Sequence, residues 1–365
     1  MERFWPNIGG AEILGGKLLL ALRERGYDFI VVTRQDDPDS PHEEEYGGVS
    51  LYRFPFLTVL TGGNAGQVME SRQQVAKLKR TFAPDLVHIY LVGISCLFHL
   101  GTADAHPTPL LVTLHGALQN QAVGREALLG QTLRSANWVT CCSAAVLTQA
   151  RQLLPEIIPR SSLIYNSRDV PPLLPKPLPF ATPYVLCLGR LIPDKGFDLA
   201  LTAFASLVDR FPHARLVIAG DGPSRPKLEQ QAVALGLTEV VEFVGWVDPD
   251  KVPALMNMAT LVVMPSRNEG FGGVALEAAL MARPVVAMCV EGLPEVVVHE
   301  ETGLLVEPED SHALTKAIRF LLDNPETTIL MGQAARSRAQ EVFAWERYVN
   351  AYDALYQKLI NERAR

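Results

Sequence analysis

The chain has 365 residues, a net charge of −7 and 48% hydrophobic residues. That length exceeds one ordinary α/β domain and suits two, and the hydrophobic content excludes a disordered chain. The acidic balance excludes non-specific nucleic-acid binding, and no basic groove interleaved with aromatics offsets it.

Met1 leads straight into ERFWPNIGG without an apolar leader. The longest apolar stretch, 86–100, is interrupted by His88 and His99. It falls short of the roughly 18–20 residues of a spanning helix. A soluble, cytoplasmic protein is expected. Cys96, Cys141, Cys142, Cys187 and Cys289 show no metal or redox spacing. They lie in or directly after apolar runs and read as small buried hydrophobes in a reducing compartment.

Short β-branched runs alternate with longer helical periods, the pattern of parallel α/β units. In the first half, strands are predicted at 29–33, 86–90, 110–114 and 138–142, with helices over 10–25, 67–80 and 120–135. Residues 34–66 show no readable period, and HEEEYGG and LTGGNAG read there as irregular, mobile segments. Lys77, Lys79 and Arg80 read as a solvated helix face, with a lipid-headgroup patch as the alternative. Residues 169–183 carry six prolines in fifteen positions and read as a stiff extended connector.

The second half repeats the same pattern, with strands predicted at 184–189, 215–220, 241–245, 260–265, 284–288 and 303–306. A final helix near 346–361 puts Tyr348, Tyr352, Leu355, Tyr356 and Leu359 on one stripe. The expected organisation is an N-terminal domain over 1–168, a linker over 169–183 and a C-terminal domain over 184–345. Residues 346–365 would pack back on either domain, the N-terminal one favoured. The fold class is α/β: two doubly wound Rossmann-like domains facing each other across a cleft. Ligands of such sheets bind beyond the carboxyl ends of the strands, so the chemistry is expected on those loops.

GRLIPDKG (189–196) follows the first strand of the second half. Its Arg190 and Lys195 supply a forked donor and a compact point charge, both suited to a diphosphate. NEGFGGVALEAAL (268–280) follows TLVVMP and opens a helix with Gly270, Gly272 and Gly273 around Phe271. Glycines admit close backbone approach, and a helix N-terminus favours an anion. Glu269 and Glu277 flank that turn and are placed to reach hydroxyls of a sugar and a ribose.

The chain resembles the retaining glycosyltransferases of family four, which have the two-domain GT-B fold. The matching pieces are PNIGGAE (6–12), TLHG (113–116), GRLIPDKG (189–196), AGDGP (219–223), NEGFGGVALE (268–277) and GLLVEPED (303–310), with YNSRD (165–169) a looser match. The resemblance covers nearly the whole chain. It implies that Arg190 and Lys195 hold the donor diphosphate, that Glu277 binds the ribose and that Glu269 binds the transferred sugar. Backbone N–H groups of Gly270, Phe271 and Gly272 would complete the cradle. The backbone near Val247 would meet the nucleobase. His115 would hydrogen-bond the sugar from the first domain, where Gly9 and Gly10 would approach the phosphates at a helix start.

The implied activity is transfer of a hexose from a nucleotide-diphosphate sugar, a UDP-sugar favoured, to the hydroxyl of a glycan or lipid-linked acceptor. No metal cofactor is expected, and no nucleic-acid partner. Peripheral contact with a membrane surface remains open, and nothing in the residues defines an oligomeric state. Two alternatives stand beside this reading: a nucleotide-sugar epimerase on the same fold, and a nucleotide-sugar-binding protein without turnover. One departure stands out. The family opens with a β-strand before the glycine loop, whereas only residues 1–5 precede PNIGG here. A missing central strand would leave backbone groups of its neighbours unpaired, so a truncated N-terminus is expected.

Overall fold

A computed structural model describes residues 1–6, 9–116, 118 and 127–363. The chain forms two compact units, Met1–Asn166 with Glu346–Arg365, and Ser167–Trp345.

In the first unit, β1 (Ile30–Arg34), β2 (Glu43–Tyr46) and β3 (Val49–Phe54) form one sheet in the order β1-β3-β2. The strands β4 (Val87–Ile89), β5 (Leu110–Leu114), β6 (Trp138–Cys141) and β7 (Ser161–Leu163) form a second, wholly parallel sheet. Every residue of β5 is buried, which is why it reads as an unbroken apolar run rather than an alternating one. Of the helix expected over 120–135, Leu128–Ser135 is observed, while 120–126 lie outside the described residues.

The segment read as irregular, 34–66, is ordered. Strands β2 and β3 form an antiparallel hairpin in which Tyr46 faces Val49. Gly47 and Gly48, at φ of 56° and 80°, supply the two positive φ values that a tight two-residue turn requires. Three successive glutamates on an exposed edge strand conceal the alternation that would have marked it. Farther on, the Asn64 side chain accepts from Gly66 N and Gln67 N and caps the helix Ala65–Phe82. Of that helix's Lys77, Lys79 and Arg80, Lys79 does not share the solvated face. Lys79 is buried, and its Nζ donates to the His99 and Thr102 carbonyls at 3.0 and 3.2 Å. Burial lowers its pKa to about 8. Lys77 and Arg80 are exposed.

The two sheets of the first unit are not joined by strand pairing among the described residues. Residues 1–3 lie beside β1 without forming a strand. The Met1 amine donates to Val32 O at 2.7 Å and Arg34 N donates to Glu2 O at 3.3 Å. The Glu2 carboxylate accepts from Arg34 at 2.9 Å and from Ser95 N and Oγ at 3.0 and 2.9 Å. One side chain thus links β1 to the helix Ser95–Leu100 that follows β4.

The helix Trp345–Arg363 buries its stripe of Tyr348, Tyr352, Leu355, Tyr356 and Leu359 within the first unit. Its hydroxyls are registered against the parallel sheet. Tyr348 and Tyr90 share a 2.6 Å hydrogen bond, and Tyr352 lies 3.2 Å from Thr113 Oγ1. His88 bridges Tyr356 and Thr113, at 2.7 Å on each ring nitrogen. Burial, reinforced by the neighbouring His115, lowers the His88 pKa to about 3. Burial and nearby Lys79 do the same for His99.

These two imidazoles make stability depend on pH. The unfolded chain protonates them near 6.5, whereas the folded chain resists until about 3. Between those limits the unfolded state binds more protons, so stability falls as pH falls and the contribution is complete above 6.5. Each histidine contributes a slope of up to about 1.4 kcal/mol per pH unit. Urea midpoints should therefore drop between pH 7 and pH 5, and a His88→Gln variant should show a shallower decline.

In the second unit, β8 (Tyr184–Leu188), β9 (Arg215–Ala219), β10 (Val241–Gly245), β11 (Leu261–Met264), β12 (Val285–Met288) and β13 (Gly303–Val306) form one parallel sheet. Its order is β10-β9-β8-β11-β12-β13, the doubly wound arrangement whose direction reverses between β8 and β11.

The proline-rich segment belongs to this unit instead of standing free between domains. Lys176 N donates to Asn257 Oδ1 at 2.7 Å, and Asn257 Nδ2 donates to Leu174 O at 2.9 Å. Arg283, only 1% exposed, donates to Lys176 O at 2.9 Å. Prolines that cannot join a sheet leave carbonyls to satisfy, and buried side chains of the unit satisfy them. Four cysteines are buried as expected, but Cys289 is exposed, because the chain leaves the sheet at Met288.

Candidate active site

The carboxyl ends of β8 and β11 lie side by side where the strand order reverses, and the loops leaving them carry the predicted residues. The β8 loop turns through Gly196, at φ 65°. A Cβ there would lie 1.9 Å from the Pro265 carbonyl oxygen, so only glycine lets the two loops meet. Gly220 does the same for the β9 loop, where a Cβ would stand 1.9 Å from Gly189 O. Backbone bonds Leu191 N to Asp221 O (2.9 Å) and Ser224 N to Leu191 O (2.8 Å) then brace the β8 loop from that side.

Lys195 and Glu269, expected to hold diphosphate and sugar, hold each other. Lys195 Nζ donates to Glu269 Oε2 at 2.6 Å, with the side chains 23% and 15% exposed. Arg190 is exposed just beyond β8 and forms no ion pair among the described residues. The turn after Glu269 has the expected form. Gly272, at φ 106°, is the N-cap of the helix Gly273–Leu280. Phe271 is buried, its ring 5.5 Å from that of Phe343, so its side chain anchors the turn and only its backbone can serve a ligand. Val247 is half-buried just beyond β10.

Several positioning residues had no distinct signal in the sequence. Arg267 donates to both oxygens of Asp198 at 2.9 and 2.8 Å and pairs with Glu309 at 2.6 Å. It also bonds the backbone beside Lys195, through Nη1 to Pro193 O at 2.7 Å and its own N to Asp194 O at 2.8 Å. The spacing of the Lys195 and Glu269 loops is therefore set by one guanidinium, which in turn lowers the Asp198 pKa. Glu291, strained at φ 44°, accepts from Glu269 N at 2.8 Å. The Asn268 amide, with its NH2 toward Glu291, donates to the same carboxylate at 2.8 and 3.1 Å. Gly292 is the contact point of the next loop, since a Cβ there would lie 2.3 Å from Gly270 O. Glu277 is paired too, accepting from Arg168 Nε at 2.8 Å.

The remaining predicted residues lie in the first unit. His115 follows β5, half-buried, with its ring centroid 4.3 Å from that of Tyr90. Gly9 is the N-cap of the helix Gly10–Glu24, and Gly10 is its exposed first residue. Of the two amides expected to approach phosphate, that of Gly9 is engaged at the helix start. The Gly9 N–H donates to Glu12 Oε2 at 3.0 Å, one half of a capping box, which places a carboxylate at the helix start.

Comparisons with known proteins agree across the chain. The pattern of the Glycosyltransferase Family 4 matches residues 8–170, and that of the Glycosyl transferases group 1 matches 175–338. A glycogen synthase from Mycobacterium tuberculosis is 30% identical, covering 96% of this chain and 91% of its own. An uncharacterized glycosyltransferase from Methanocaldococcus jannaschii is 27% identical over 98% of this chain and 96% of its own. Among solved structures, a sucrose-phosphate synthase from Thermosynechococcus elongatus superposes with a TM-score of 0.82 at 25% identity, covering 97% of this chain and 94% of that one. Anabaena HepE superposes at 0.76 with 23% identity over 97% and 98%. No helix among the described residues is long and apolar enough to cross a membrane. The chain belongs to glycosyltransferase family 4, with the GT-B fold, and is a glycosyltransferase.

Proposed function

We propose that the enzyme moves a hexose, with retention, from a nucleotide-diphosphate sugar to the hydroxyl of a glycan or glycolipid acceptor, in the cytoplasm or at the inner membrane face. The observation that carries this reading is the Lys195–Glu269 pair at the switch point, 2.6 Å apart beside the start of the helix Gly273–Leu280. A bound donor would exchange partners there. Lys195 would turn from carboxylate to diphosphate, and Glu269, freed, would accept from sugar hydroxyls. Arg190 would add its fork to the same phosphates. As the anomeric bond breaks, negative charge grows on the leaving diphosphate, so these cations stabilise the transition state more than the bound donor. No side chain is assigned as a nucleophile. The acceptor attacks the face that the diphosphate leaves, and the leaving phosphate oxygen takes the acceptor proton.

A UDP-sugar is favoured as donor because the HepE neighbour is described in complex with UDP-glucose. The test is a panel of UDP-, GDP- and ADP-sugars, each with and without glycan and glycolipid acceptors, with product configuration read by NMR. Transfer that preserves the donor's anomeric configuration is expected. An inverted product would overturn retention. An epimer formed without acceptor, or tight binding with no transfer to any acceptor, would replace the reading with an epimerase or a binding protein.

A further inference from the structure

We infer that Arg168 is a positioning residue for ribose recognition, fixing the Glu277 carboxylate so that one oxygen is held and the other is presented to the nucleotide. This inference rests on the proposed assignment of Glu277 to the donor ribose. Arg168 lies at the start of the second unit, 109 residues before its partner, and reaches the helix Gly273–Leu280 across the fold. Its Nε donates to Glu277 Oε1 at 2.8 Å, and Nη1 donates to Ser167 O at 2.9 Å, so the guanidinium is held from two sides. Its third nitrogen lies over the first residue of the helix, where a Cβ on Gly273 would stand 2.8 Å from Nη2.

That is an unfavourable place for a cation, because the positive end of the helix dipole points at it. The Glu277 pair offsets the repulsion, and the two side chains are 14% and 26% exposed. Only one carboxylate oxygen is used, since Glu277 Oε2 accepts no hydrogen bond from the described residues. A glutamate has three rotatable side-chain bonds, and holding it in one rotamer costs conformational entropy. A guanidinium that holds Oε1 through Nε while Nη1 is tied to the Ser167 carbonyl meets that cost before the ligand arrives, leaving Oε2 for a pair of vicinal hydroxyls. The arrangement differs from the Lys195–Glu269 pair, which the donor must separate. Here the pair persists, because a carboxylate can accept from arginine and ribose together.

The experiment is calorimetry on the full chain with UDP, ADP and GDP, which share the ribose, and with inorganic pyrophosphate, which lacks it. Arg168→Met is expected to raise Kd roughly tenfold for the nucleoside diphosphate that binds best, the scale of one hydrogen bond to a charged group. Pyrophosphate affinity should stay unchanged. Arg168→Lys keeps the charge without the fork and should also weaken the nucleotide, and it carries the test should Arg168→Met fold poorly. In an Glu277→Gln background, Arg168→Lys should have no further effect. An equal loss for pyrophosphate would make Arg168 a direct phosphate ligand, and tighter nucleotide binding would make it a competitor of the ribose. Full additivity with Glu277→Gln would overturn the inference as well. Failure of the underlying reading looks different: Glu277→Gln alone would leave nucleotide affinity unchanged.

Discussion

Lys195→Ala is expected to lower kcat by about 10²–10³, the usual consequence of removing one donor aimed at developing charge. The effect should fall mainly on turnover, because the ammonium acts where the leaving diphosphate gains charge. The substitution also strands Glu269, whose side chain is 15% exposed and loses its 2.6 Å partner. A carboxylate left alone at an anion site repels the donor, so some rise in KM should accompany the fall in kcat. Lys195→Ala/Glu269→Gln removes that stranded charge and should lower KM relative to Lys195→Ala, short of the wild-type value because Glu269 also serves the sugar, while leaving kcat low. Steady-state kinetics with a saturating acceptor make the measurement. A rise in KM with an unchanged kcat would contradict the role assigned to Lys195.

Arg283→Met should destabilise the second unit by about 2–5 kcal/mol, the scale of leaving two buried carbonyls without their donor. Arg283 is 1% exposed and has no carboxylate partner among the described residues. Carbonyl groups surround it instead, with Nη2 donating to Lys176 O, Asn257 O and Asn257 Oδ1 at 2.9, 3.0 and 3.1 Å. Nε donates to Met256 O at 3.3 Å, and the guanidinium lies 5.3 Å from the Phe180 ring centroid. Burial lowers its pKa to about 10. Methionine fills much of the volume but removes the donor to Lys176 O and Asn257 O, whereas Asn257 Oδ1 keeps Lys176 N and Met256 O keeps Ala259 N; each orphaned acceptor costs about 1–3 kcal/mol. The expected result is a lower urea midpoint for the second unit with an unchanged slope. Proteolysis within 169–183 should quicken, because that segment loses its contact with Arg283. A midpoint within experimental error of the wild type would show that the cluster contributes no net stability.

The second unit was largely legible from its residues. Four of its six strands end at glycine or proline (Gly189, Gly220, Gly245 and Pro265), and the central ones are the unbroken apolar runs that a parallel sheet buried on both faces requires. Gly196 and Gly272 were legible as turns because positive φ leaves few alternatives to glycine. The β2–β3 hairpin was missed, although its two glycines are a turn signal, because an acidic edge strand carries no apolar alternation. Lys79 was misread for a related reason: a lysine gives no local sign of whether distant carbonyls will bury it.

Local periodicity and backbone strain belong to neighbouring residues, so the sequence by itself determined the α/β grammar, the strand ends and the chemical groups carried on each loop. Pairing across the fold does not belong to neighbours. Lys195 meets Glu269 across 74 residues and Arg168 meets Glu277 across 109. Arg267 meets Asp198 across 69, and the proline-rich stretch meets Arg283 across 107. Only the tertiary structure decides such contacts, because a side chain's charge is written locally while its partner is chosen by the packing of the whole sheet.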